Sequence, residues 1–181
     1  RALGHRSILA DPRDAGMKDK LNSTVKFREE YRPYAPVILR NKVSEYFDLE
    51  CESPFMLIVA DVKKDKYDII PSVNHVDGTA RVQTVTKKDN GNYFDILNSF
   101  YEITGVPVLL NTSFNINREP IVETPDDALI CAFGTSIDYL VIEGRLIDCS
   151  LYRNPELVTK ITKERDEKNN LHYQSLLKKH L

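Results

Sequence analysis

Apolar residues along this chain fall into short runs, one clean alternation and one helical stripe, and each pattern predicts an element. Residues 37–39, Val-Ile-Leu, predict a short strand, and 43–47 predict a turn of helix. The strongest apolar run, 54–60, predicts a central strand. Residues 79–85 alternate, with Ala80, Val82 and Thr84 on one face and Arg81 and Gln83 on the other. Tyr93, Ile96, Leu97, Phe100 and Ile103 recur at helical spacing, which predicts a helix with a core-facing stripe that ends at Gly105. Val106, Val108, Leu109 and Leu110 then predict a buried strand, broken by the polar run Asn111-Thr-Ser-Phe-Asn115.

Caps and turns complete the pattern. Asp11-Pro12 reads as an N-cap with proline at the first helical position, starting a helix that runs to about Asn22. Thr124-Pro-Asp-Asp127 is a second helix start, for a helix through Phe133 that stops near Gly134. Residues 139–142 and 145–147, joined by Glu143-Gly144, predict a hairpin. From about Pro155 the chain turns charged, and 171–181 predict an exposed or docking helix. Strands and helices mixed in this way predict an α/β or α+β domain built on a mixed sheet.

At 181 residues the chain has room for one well-packed domain with an appendage. A net charge of −2 and an isoelectric point of about 6.1 argue against a nucleic-acid-binding domain defined by bulk charge. Cys51, Cys131 and Cys149 are sparse and contain no CxxC pair, which predicts reduced thiols in a cytoplasmic protein. No apolar run approaches the roughly 20 residues that cross a bilayer, and no signal peptide opens the sequence. The first residues read as the middle of a motif, so a longer parent chain is expected.

Candidate chemistry sits at four places. Asn111, Ser113 and Asn115 place amide and hydroxyl groups at the end of a strand, either as a polar loop or as ligand-binding atoms on a rigid element. Lys26, Arg28 and Arg32 share parity, so an extended segment would turn all three to one phosphate-binding face. The alternative is surface charge offset by Glu29 and Glu30. Arg81 and Gln83 would present a guanidinium and an amide together, or form the open side of an ordinary strand. Arg1 to Ser7 gathers two arginines and His5 around Gly4, as a phosphate-suited turn or a solvated terminus. His75 alone reads as a structural hydrogen-bonding group. There is no Walker loop, GxGxxG, HExxH or metal-ligand spacing.

Taken together, four segments closely resemble the C-terminal domain of the carbamoyltransferase family that includes nodulation protein U and antibiotic O-carbamoyltransferases. They are RALGHRSILADPR at 1–13, KFRE with RPYAP at 26–36, HVDGTARVQTV at 75–85, and GVPVLLNTSFN at 105–115 followed by Glu119-Pro120. The resemblance covers residues 1–148. It implies a YrdC-like domain over 1–150, with a twisted mixed sheet and flanking helices, and a helical extension over 151–181. It implies that carbamoyl phosphate and ATP, with Mg2+ accompanying ATP, form carbamoyl adenylate here. A separate N-terminal actin-like domain, which carries the metal site, would pass the carbamoyl group to an acceptor hydroxyl. No protein-held metal is then expected in this stretch. Lys26, Arg28, Arg32 and Arg81 are the implied catalytic cations. Arg1, His75, Asn111, Ser113 and Asn115 are the implied binding groups. Arg118 stands where the family pattern has glycine. The alternative is a non-catalytic module of the same fold that holds a nucleotide or RNA.

Overall fold

The computed structural model describes residues 2–117, 119–156 and 159. The expected helix at 171–181, Arg1 and Arg118 lie outside the described residues. The chain divides into two compact units, Arg1–Ile121 and Val122–Leu181. With sheets and helices in both, it belongs to the α+β class.

The first unit is built on a five-stranded mixed sheet. Its strands are β1 (Ser7–Ala10), β2 (Ala35–Leu39), β3 (Ile58–Asp61), β4 (Thr79–Val85) and β5 (Val108–Ser113), in the order β1-β5-β2-β4-β3. Only β2 and β4 run parallel. Between the strands lie α1 (Met17–Leu21), α2 (Val43–Tyr46) and α3 (Gly91–Thr104). The 14 residues of α3 are fixed at both ends. The Asn90 side chain accepts from the Tyr93 amide, and Gly105 closes the helix in the left-handed region at φ 72°.

Cross-strand partners share a face, and residues two apart along a strand do too. The pairings Val37–Leu109, Val37–Gln83, Leu39–Val85 and Ala35–Asn111 therefore define one face. On it, Val37, Leu39, Val85 and Leu109 pack against Tyr93 and Leu97 of α3. Further along each strand the same face turns polar: Leu109 gives way to Asn111 and Ser113, and Val85 to Gln83 and Arg81. The opposite face carries Ile38, Ala80, Val82, Val108 and Leu110, all fully buried.

Three expectations need correction here. Asp11-Pro12 starts no helix; the Asp11 carboxylate is bound by the Arg13 guanidinium, and α1 begins at Met17. The 54–60 run is not a central strand. Ser53 to Met56 form a turn with Met56 at φ 54°, and β3 is an edge strand from which Val59 projects into solvent beyond exposed Phe55 and Leu57. In α3 only Tyr93 and Leu97 are buried; Ile96 and Ile103 face outward, since one sheet face can cover only part of the stripe.

The second unit holds α4 (Pro125–Phe133) and the hairpin of β6 (Tyr139–Ile142) and β7 (Arg145–Asp148). The expected capping is present: Thr124 and Asp127 form a reciprocal capping box with Pro125 at the first turn. Glu143 at φ 49° and Gly144 at φ 73° supply the two left-handed residues that a tight hairpin turn requires. No helix among the described residues is long and apolar enough to cross a membrane. All three cysteines are free thiols.

Gly4 ties the amino-terminal turn to the core. It stands at φ 94°, and a Cβ there would lie 2.2 Å from the Tyr93 ring. Gly105 also has positive φ but faces open space. Gly4→Ala is expected to lower the unfolding free energy by about 3 kcal/mol, against about 1 kcal/mol for Gly105→Ala. Denaturant titration of both variants checks this. Equal losses would mean that the Tyr93 contact contributes nothing.

Candidate functional site

The polar half of the sheet face opens onto a cavity of about 380 Å³. Arg28, Tyr34, Arg81, Asn111 and Ser113 line it, with Leu3 and Met56 at its rim. It therefore brings together four of the residues singled out in the sequence: Arg28, Arg81, Asn111 and Ser113. No lining residue is acidic.

Lys26 and Asn115 stand behind Ser113 and are not among the residues that line the cavity. Lys26 is 3% exposed. Its ammonium donates to the backbone oxygens of Ser113 and Asn115, to Asn115 Oδ1 at 2.7 Å and to Ser113 Oγ at 3.3 Å. Ser113 Oγ in turn donates to Asn115 Oδ1 at 2.6 Å. Asn115 Nδ2 donates to the Glu119 carbonyl. Strand β5 continues through Ser113 rather than breaking at Leu110, because β1 pairs with it over Ser7–Ser113 and beyond.

The segment 26–32 is not extended, and its three cations do not share a face. Asn22–Lys26 is a π-helix, and Phe27 follows in the left-handed region at φ 46°. Such helices are rare and are frequently found at functional sites. The hub of this segment is fully buried Asn22, a residue that no sequence motif singles out. Its Oδ1 accepts from Tyr34 OH at 2.7 Å and Arg28 Nε at 2.8 Å, and its Nδ2 donates to the Glu30 and Arg32 carbonyls. Arg28 also lies over the Tyr34 ring, 4.5 Å from its centroid. With Nε committed, the terminal nitrogens are the donors with which Arg28 can meet a ligand. Arg32 points elsewhere: it is half exposed and lies 3.8 Å from the Glu29 carboxylate. The one sequence signal for Asn22 was its place at the end of a helical run, where an amide usually meets water.

Asn111 is also 3% exposed. Its Nδ2 donates to Gln83 Oε1 at 2.7 Å, while its Oδ1 is buried without a hydrogen-bond partner. Backbone strain gathers at the same place. Leu3 at φ 52° and Met56 at φ 54° both line the cavity. Leu3 and Gly4 are the central residues of a tight turn closed by the His5 amide donating to the Ala2 carbonyl at 3.0 Å.

His75 lines a second cavity, of about 360 Å³, with Lys18, Tyr31, Asn74 and Asp77; Pro33 lines both. Burial pushes the His75 imidazole below its ordinary pKa, and the nearby Arg81 charge acts in the same direction, against Asp77. Asn74 Oδ1 is another buried acceptor without a partner. Among the described residues no group of three or more His, Cys, Asp or Glu is placed to hold a metal ion.

Two outcomes are expected. Lys26→Met strands several buried acceptors and should lower stability by roughly 2–3 kcal/mol; thermal unfolding measures it, and an unchanged midpoint would contradict the clamp. For His75, the unfolded chain binds the proton more tightly than the folded one. Its contribution is therefore full above pH 6.5 and is lost as pH falls below that value. His75→Gln should flatten that part of the stability–pH curve.

The family model described as Carbamoyltransferase C-terminus matches residues 1–148. Nodulation protein NolNO of Sinorhizobium fredii is 50% identical over 150 residues, covering 81% of this chain and 22% of the relative. Nodulation protein NolO of Bradyrhizobium diazoefficiens is 50% identical over 150 residues, covering 81% and 27%. Nodulation protein U of Sinorhizobium fredii is 37% identical over 155 residues, covering 86% and 26%. The chain spans about a quarter of the length of these curated relatives. Since the match runs through every residue that lines the cavity, turn, strands and loop alike, the chain belongs to the carbamoyltransferase C-terminus family.

Proposed function

We propose that this chain binds carbamoyl phosphate and ATP and forms carbamoyl adenylate, as part of an O-carbamoyltransferase whose actin-like domain passes the carbamoyl group to an acceptor hydroxyl. The observation that carries this reading is the pairing of two guanidiniums, Arg28 and Arg81, with the Asn111 amide and Ser113 hydroxyl in one cavity without a lining carboxylate. The two guanidiniums suit a doubly charged phosphoryl group, and the Asn111 and Ser113 oxygens suit a small polar group attached to it.

In this reading carbamoyl phosphate takes up water and releases phosphate, leaving carbamate. A carbamate oxygen then bonds to the α-phosphorus of ATP as the bond from that phosphorus to the pyrophosphate oxygen breaks. Neither step needs a covalent nucleophile from the protein. Both need reactants held in line and charge neutralised as it develops. Arg28 and Arg81 supply the charge at the cavity wall. Lys26 acts from behind, holding Ser113 and Asn115 in place. Arg32 would reach the ligand by leaving Glu29. The cavity beside His75 would take the nucleoside, and magnesium would enter with ATP.

The test is ATP–pyrophosphate exchange by this chain, with carbamoyl phosphate present or omitted. Exchange that depends on carbamoyl phosphate is the expected result. Arg81→Ala should reduce it on the order of 10²-fold or more, with thermal unfolding of the variant checking that the fold is intact. Undiminished exchange in that variant would remove Arg81 from the chemistry. Tight RNA binding with no binding of either small ligand would replace the reading with that of a nucleic-acid module.

A further inference from the structure

Gln83 is 3% exposed and lies on the same sheet face as Asn111, beyond the reach of α3. Its Nε2 faces two backbone carbonyls, Leu3 O at 3.4 Å and Pro54 O at 3.3 Å. These contacts are long, yet they settle which way the amide points. Turning it over would set its oxygen against two carbonyl oxygens. Gln83 Oε1 must therefore face Asn111, and Asn111 must offer Nδ2 to it, at 2.7 Å. The remaining atom of that amide, Oδ1, is the buried acceptor without a partner in a residue that lines the cavity. Two carbonyls, through two amides in series, thus fix an acceptor rather than a donor as the unpartnered end of Asn111.

We infer that Gln83 is a positioning residue that holds Asn111 Oδ1 toward the cavity, and that this oxygen selects the –NH2 group of a carbamoyl ligand over an isosteric methyl group. The inference rests on the reading of the cavity as a carbamoyl phosphate site. Carbamoyl phosphate and acetyl phosphate carry the same carbonyl and the same phosphoryl group. They differ in the group that would face Asn111: an N–H donor in one, an apolar methyl in the other. A buried acceptor that a ligand leaves without a donor is penalised heavily, so the discrimination should be large. The scaffold around it is stiff. Asn111 lies mid-sheet, paired with Leu9 on one side and Ala35 on the other. The Leu3 carbonyl is presented by a turn held in the left-handed region at φ 52°.

The experiment is titration calorimetry of the whole chain with carbamoyl phosphate and with acetyl phosphate, for wild type, Gln83→Leu and Asn111→Leu. Wild type should prefer carbamoyl phosphate on the order of 10²-fold or more. In Gln83→Leu the Asn111 amide is free to turn, and the ratio of dissociation constants should collapse toward one. Asn111→Leu should collapse it as well. A purely structural role for Gln83 would weaken both ligands alike and leave the ratio intact, which would overturn the inference. So would equal binding of the two ligands by wild type, a result that needs no variant and would leave the phosphoryl site standing. Binding of neither ligand by wild type would instead overturn the carbamoyl phosphate reading itself, and the inference with it.

Discussion

Helix α3 covers only part of the sheet face on which it packs, and the candidate site lies on the rest. Over Val37, Leu39, Val85 and Leu109 the helix supplies Tyr93 and Leu97, and the strands can be apolar. Past that line α3 no longer supplies the packing, and the same strands carry Asn111, Ser113, Gln83 and Arg81. Burying those groups without partners would cost more than the fold can spare. They are held instead by one another, by backbone carbonyls and by a cavity open to ligand. Core and site are thus two ends of one surface, and the packing of the first sets the geometry of the second.

Two buried polar residues hold the rim. Asn22 uses its amide oxygen and nitrogen together, closing the loop that carries Arg28 against Tyr34. Lys26 gathers four oxygens at the end of β5. Four residues apart, they sit in the same π-helix, which turns one side chain toward the arginine loop and the other toward the strand end. A positive charge set so close behind Ser113 also adds to the potential in a cavity already walled by two guanidiniums.

Most local signals were legible in the sequence, the Asp11-Pro12 cap excepted, and long-range ones were not. The capping box at Thr124, the hairpin turn at Glu143-Gly144 and the end of α3 at Gly105 are each written in a few adjacent residues, and each appears in the structure. The clean alternation of 79–85 gave a strand with Ala80, Val82 and Thr84 buried on one face. The apolar run at 54–60 misled because hydrophobicity alone does not say whether a strand lies mid-sheet or at an edge. Parity misled at 26–32 because a π-helix followed by a left-handed residue has no period that sequence counting can use. The site was legible through the resemblance to a family more than through spacing. Gln83 looked like the open side of a strand, and its burial is decided by Leu3 and Pro54, far away in the chain. Asn22 was silent for the same reason.

The pairing of β1 with β5 joins Ser7 to Ser113, so the sheet closes across most of the first unit's length. Contacts that distant are entropically expensive to bring together and tend to form late in folding. The cavity draws Leu3, Arg28, Arg81 and Asn111 from four separate regions, so no early hairpin or helix contains it. Affinity for any ligand of this cavity would therefore be a property of the finished sheet alone. A chain still folding presents no partial site. Ligand bound to the finished sheet draws the equilibrium toward the folded unit as a whole, so that recognition and structural integrity rise and fall together.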